Sequence, residues 1–119
     1  MIRVRRIHDP PEPDDGGRYL ADRVWPRGIS RERASLDGWL KDLAPSHELR
    51  RWFGHDPARW DEFRRRYRDE LSAPEAAPTL AMLRLEGSRG VVTLLFAARD
   101  RERNNAVALK EYLDSPPES

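Results

Sequence analysis

The sequence contains no cysteine. This excludes disulfides, thiolate zinc sites, iron–sulfur clusters and cysteine nucleophiles. It fits a reducing compartment, and cytoplasmic location is the expectation. Lysine is nearly absent, with Lys41 and Lys110 the only two. Histidine is limited to His8, His47 and His55, none spaced i,i+4 with another; no metal site and no cofactor is expected from them. An all-oxygen magnesium site built from Asp22 and Asp100 would need a phosphate ligand to complete it. No apolar run approaches the ~20 residues of a membrane span, and Met1-Ile2-Arg3 leads into no signal-type segment. No membrane partner is therefore expected. Gly-x-Ser-x-Gly, Gly-x-Gly-x-x-Gly and Walker-type loops do not occur either.

What the chain does have is charge. Charged residues make up 36% of the 119, yet the net charge is +1. Arginine grips phosphate and carboxylate as a bidentate fork, although a surplus of it also arises wherever any surface cation is tolerated. A near-neutral balance argues against a dedicated duplex-DNA binder. The length fits one domain over residues 1–119, with Ser115 to Ser119 expected to fray.

Ile2 to Ile7 alternates apolar and basic residues, which predicts a half-buried strand. His8 to Gly17 is rich in Pro, Asp and Gly and reads as a loop too short for a crossover helix. A second strand is expected over about Tyr19 to Val24. It ends in Asp22-Arg23-Val24-Trp25-Pro26-Arg27-Gly28, where Pro26 holds Trp25 extended and Gly28 tolerates positive φ. Ser30 is placed to cap a short helix over Arg31 to Ala34. Leu36 to Leu43 fits either a short helical face or a brief strand.

Ser46 is expected to cap a helix over His47 to Trp52, closed by Gly54. Asp56-Pro57 opens another, whose Trp60, Phe63, Tyr67 and Leu71 form one stripe. Arg59, Arg64, Arg65, Arg66 and Arg68 fall largely off that stripe and read as a solvated flank. Leu80, Met82, Leu83 and Leu85 predict a buried helix closing near Gly87. Val91 to Ala98 has the almost unbroken apolar character of a central strand covered on both faces. Asp100 is expected to cap a last helix with Ala106, Leu109, Tyr112 and Leu113 as its stripe.

These elements predict a small three-layer α/β fold with a mostly parallel sheet of three or four strands flanked by helices. In such sheets ligands bind beyond the carboxyl ends of the strands. Two segments emerge there, Asp22 to Gly28 and Arg99 to Asn105.

Four segments also carry a resemblance: Asp22 to Gly28, Trp39-Leu40-Lys41-Asp42-Leu43-Ala44-Pro45-Ser46, Trp52-Phe53-Gly54-His55-Asp56-Pro57, and Leu94 to Asp100 with Asn104 and Leu109-Lys110-Glu111-Tyr112-Leu113. In this order and spacing the chain resembles the YeaO-like proteins of the domain of unknown function 488 (DUF488) superfamily. The resemblance implies a small cytosolic α/β domain and a signature set of Asp22, Arg23, Trp25, Arg27, Lys41, Asp42, His55, Asp100 and Asn104. The superfamily's closing motif often reads Asp-x-x-His-Asn-His. Here Arg103 and Asn105 replace both histidines, which puts any metal or acid–base role of those positions in doubt.

What remains is a carboxylate–arginine–amide cluster. In one reading the protein is a small enzyme on an anionic, nucleotide-like or phosphorylated substrate. Asp22 and Asp100 would be its acid–base pair, and Arg23, Trp25, Arg27, Lys41, His55, Arg99 and Asn104 would bind the substrate. In the alternative it is a non-catalytic module that binds an anion or an acidic partner. A weaker third reading has single-stranded nucleic acid on Arg64, Arg65, Arg66 and Arg68. Against all three stands a lock, in which Asp22 pairs with Arg27 or Arg99 and only ties two turns together.

Overall fold

A computed structural model describes residues 1–115. Of the tail expected to fray, Pro116 to Ser119 lie outside the described residues. Four strands, β1 (Ile2–Arg6), β2 (Gly17–Leu20), β3 (Gly38–Trp39) and β4 (Val92–Phe96), form one sheet in the order β1-β4-β2-β3. All three pairings are parallel. The last strand in sequence thus lies between the first two, as its apolar run requires: every residue from Val92 to Phe96 is buried.

The helices are α1 (Arg31–Ala34), α2 (His47–Phe53), α3 (Trp60–Leu71), α4 (Ala77–Arg89) and α5 (Asn105–Asp114). Alternation along β4 sends Val92, Leu94 and Phe96 to one face, into the main core with Phe63, Tyr67, Leu83 and Leu109 of α3, α4 and α5. Leu95 points to the other face and packs with Ile7, Leu20, Ile29 and Ala34. That thinner layer comprises α1, the chain leading into it and the 13–15 turn, whose Asp15 carbonyl accepts the Thr93 hydroxyl at 2.6 Å.

A buried ion triad fixes this second face. Asp15 and Arg18 are 0% and 5% exposed. The Asp15 carboxylate pairs with Arg18 and with Arg5 at 3.0 Å, and Arg18 also donates to the Ala34 and Ser35 carbonyls. Burial alone would push the Asp15 carboxyl up. The Glu12 N–H and the two guanidiniums outweigh that and hold it below the usual aspartate range.

Local rules account for most element ends. Ser30 and Ser46 accept from the Arg33 and Leu49 N–H groups. Gly28 and Gly54 take positive φ, 76° and 52°. Four sequence expectations need correction. β2 pairing ends near Ala21, not Val24, because the Asp22 side chain replaces the next ladder bond. Helix α4 continues past Gly87 to Arg89; this glycine makes room for β1, since a Cβ there would lie 2.7 Å from Ile2 Cδ1. Met82 and Leu85 on the same helix are 38% and 51% exposed, not buried. The cap of α5 is Asn104, which accepts from the Val107 N–H, and not Asp100. The ambiguous 36–43 segment resolves into β3 followed by a single 3-10 turn.

Candidate functional site

Strands β2 and β4 are neighbours and run parallel, so their carboxyl ends meet at one rim. The chain leaving β2 turns to the α1 face, whereas the chain leaving β4 turns to the opposite face and enters α5. The two connections diverge and leave a crevice between them, the switch point at which parallel sheets bind ligands. A cleft of about 440 Å³ opens there.

Asp22 lies at its base. Its Oδ2 accepts the Ala97 backbone N–H at 3.0 Å, and its Oδ1 accepts the Asn105 side-chain amide at 3.0 Å. Burial pushes the carboxyl above the ordinary aspartate range. The Asn105 and Ala97 hydrogen bonds and the nearby Arg50 and His55 charges oppose this without cancelling it. No Asp22–Arg27 or Asp22–Arg99 ion pair exists among the described residues. The two turns are joined by neutral donors, and the lock reading does not hold in the form expected.

The β2–α1 loop supplies one wall. Arg23 donates to the Pro45 and Ala44 carbonyls, each at 3.1 Å, and braces the loop against the 44–45 segment. Trp25 donates its indole N–H to Ile29 O at 2.7 Å and meets Trp39 edge-on, ring centres 5.4 Å apart. The Trp39 indole in turn donates to Asp22 O at 2.6 Å. Arg27 also lines the cleft, exposed and with no protein partner among the described residues.

Helix α2 and its end supply the other wall through Arg50, Phe53 and His55. Arg50 has no side-chain partner among the described residues either. The turn that aims His55 is strained: after Gly54, His55 itself takes φ 56°, a conformation uncommon outside glycine and one that clusters at functional sites. Ser46 anchors the start of this helix through its N–H and hydroxyl, both bonded to the Glu70 carboxylate of α3 at 2.8 and 2.6 Å.

Of the residues named from sequence, Asp22, Arg23, Trp25, Arg27 and His55 line this cleft, while Lys41, Arg99, Asp100 and Asn104 do not. Asp100 is spent on its own turn. It accepts from the Glu102 and Arg103 N–H groups and pairs with Arg103, which together hold its carboxyl below the usual range. Asn104 is 2% exposed and caps α5. Lys41 sits over the Trp39 ring at 5.2 Å, and Arg99 is exposed. Sequence reasoning missed Arg50, Phe53 and Asn105. Asn105 was in view as a replaced histidine, and its place directly after the cap was the available signal.

This chain belongs to the inactive DUF488-N3 subclade. The family model of that description matches residues 1–118. The uncharacterised protein Rv3073c of Mycobacterium tuberculosis (strain H37Rv) is 44% identical over 113 residues, 95% of this chain and 93% of that one. The uncharacterised protein YeaO of Escherichia coli K12 is 37% identical over 115 residues, 96% of this chain and 97% of its own. No solved structure matches.

Outside the cleft, three of the four arginines of α3, all but Arg68, are matched by acids. Arg64 pairs with Asp61 and Glu111, and Arg65 and Arg66 pair with Glu62. This is the arrangement of a solvated flank. Among the described residues, Glu12, Asp14 and Asp15 form the one acidic cluster tight enough to share an ion, and Asp15 is already neutralised by Arg5 and Arg18. No helix among the described residues is long and apolar enough to cross a membrane. A second cleft, of about 460 Å³ and lined partly by Arg68, Leu71, Leu80, Arg84 and Tyr112, holds none of the residues expected to be catalytic or substrate-binding, and only Arg68 of the four arginines of the nucleic-acid reading.

Proposed function

We propose that this protein is a non-catalytic module that binds a small anionic ligand in the cleft between the ends of β2 and β4. One observation carries the reading: among the described residues, Arg27 and Arg50 line the cleft without protein partners, facing a site whose one carboxylate already accepts two hydrogen bonds. Unpaired guanidiniums aimed at a common hollow are suited to an oxyanion. Asp100, the acid–base partner expected for Asp22 from sequence, is committed to its own turn instead. The subclade's description as inactive is consistent with this.

The test is calorimetric titration with pyrophosphate at low salt. Saturable binding, weakened about tenfold or more by Arg50→Ala or Arg27→Ala, is expected, since a charge-assisted hydrogen bond is worth roughly 1.5–3 kcal/mol. Absence of binding would overturn the proposal.

A second reading, catalysis with Asp22 as a lone general base, draws on its burial and raised pKa. Formation of any product from a bound nucleotide, followed by phosphorus NMR and lost in Asp22→Asn, would establish it in place of the first.

A further inference from the structure

The cleft is electrically polarised. Its rim carries Arg27, Arg50 and His55, and its base carries the Asp22 carboxylate. A plain anion would use the rim and be repelled by the base. An ionised carboxylate offers about four acceptor positions. Two on Asp22 are taken, one on each oxygen, by Ala97 and Asn105. One acceptor position is therefore left on each oxygen, and these match two adjacent, parallel N–H donors in the way a carboxylate matches a guanidinium fork. A cationic head is disfavoured by the arginines around it, so the donor pair must belong to a neutral group. The walls include the rings of Phe53 and Trp25, which suit a flat heterocycle.

We infer that the cleft takes a nucleotide with a guanine-type base, its two adjacent N–H groups donating to Asp22 and its phosphate held by Arg27 and Arg50. This rests on the anion-binding reading above and names the ligand class for the same site. Asn105 and the Ala97 N–H then act as positioning groups. They fix the carboxylate plane and leave its outward lone pairs to the base.

The experiment titrates the full chain with GMP, IMP, AMP and pyrophosphate. GMP presents both donors, IMP lacks the exocyclic one, and AMP turns a ring acceptor toward the carboxylate. GMP is expected to bind about tenfold tighter than IMP and about a hundredfold tighter than AMP, each lost hydrogen bond to a charged group costing roughly a factor of ten or more. Asp22→Asn is expected to collapse the GMP-to-AMP ratio toward one. The ligand series gives the answer without that variant, should it fail to fold. If pyrophosphate binds and Arg50→Ala weakens it while GMP and AMP bind equally, the anion reading stands and the guanine inference falls. If none of the four ligands binds, both fall.

Discussion

Asn105 reaches back across the chain to Asp22. One side-chain nitrogen donates to Ala21 O at 2.9 Å and to Asp22 Oδ1 at 3.0 Å. The first residue of the last helix thus holds the carboxylate that ends the second strand. Because the bond favours the ionised form, its loss moves the proton equilibrium. Asn105→Ala is expected to raise the Asp22 pKa beyond its already elevated value. A carbon-13 NMR titration of the carboxyl resonance reads this directly, and an unmoved midpoint would refute it.

Asp22 also makes stability depend on pH. Its folded-state pKa lies above the unfolded one, so the native state holds the proton more tightly. The associated stabilisation is complete below the unfolded pKa and is lost as pH rises through the folded pKa. Asp15, held below its ordinary value, works the other way: its contribution is present above the unfolded pKa and is lost as pH falls through the folded one. Urea melts of wild type and Asp22→Asn between about pH 3 and pH 7 should show the wild type losing ground to the variant as pH rises. A pH-independent difference would contradict this.

The triad on the opposite face predicts a larger, purely structural effect. Asp15→Ala strands Arg18, 5% exposed, without its counter-charge. Removing one partner of a buried pair costs about 3–5 kcal/mol. The denaturation midpoint in urea should fall accordingly. A loss within the range of ordinary surface substitutions, ~0.5 kcal/mol, would show that water reaches the arginine.

The two Asx residues before the last helix should separate cleanly. Asn104 caps α5 from a buried position, accepting from Val107 and donating to Asp100 O, so Asn104→Ala is expected to cost about 0.5–2 kcal/mol. Asp100 organises a solvent-facing turn, so Asp100→Ala should destabilise less. Thermal melts of the two variants side by side would expose a reversed order.

A further variant probes the core near the cleft. Tyr67 is buried, its hydroxyl donates to Leu43 O at 2.6 Å, and burial holds the phenol well above its ordinary pKa. Tyr67→Phe leaves that carbonyl without its donor and should cost roughly 1–3 kcal/mol. An unchanged melting temperature would mean that the carbonyl finds another partner.

Much of the architecture was legible because each signal was local. Val92 to Phe96 announced a central strand by carrying Thr93 as its single polar residue, Asp56-Pro57 announced a helix start, and the stripe from Trp60 to Leu71 announced the face it buries. The misreadings share a cause. Gly87 carries a helix-stop signal, but a contact with Ile2, far away in sequence, decides its role. Asp100 and Asn104 are both competent caps four residues apart, and the path of the chain out of β4 chooses between them. The candidate site was legible only in its first half. Asp22 to Arg27 form one contiguous motif, whereas Arg50, Phe53 and Asn105 reach the cleft through tertiary placement that leaves no local mark.

The central position of β4 bears on how the molecule is born. The two strands nearest the amino terminus pair with it and never with each other. Until β4 has been made, β1 has no partner to receive it and the rim that forms the cleft is half missing. Native pairing of β1 and β2 therefore waits for β4, and this non-local closure makes folding slower than local contacts alone would.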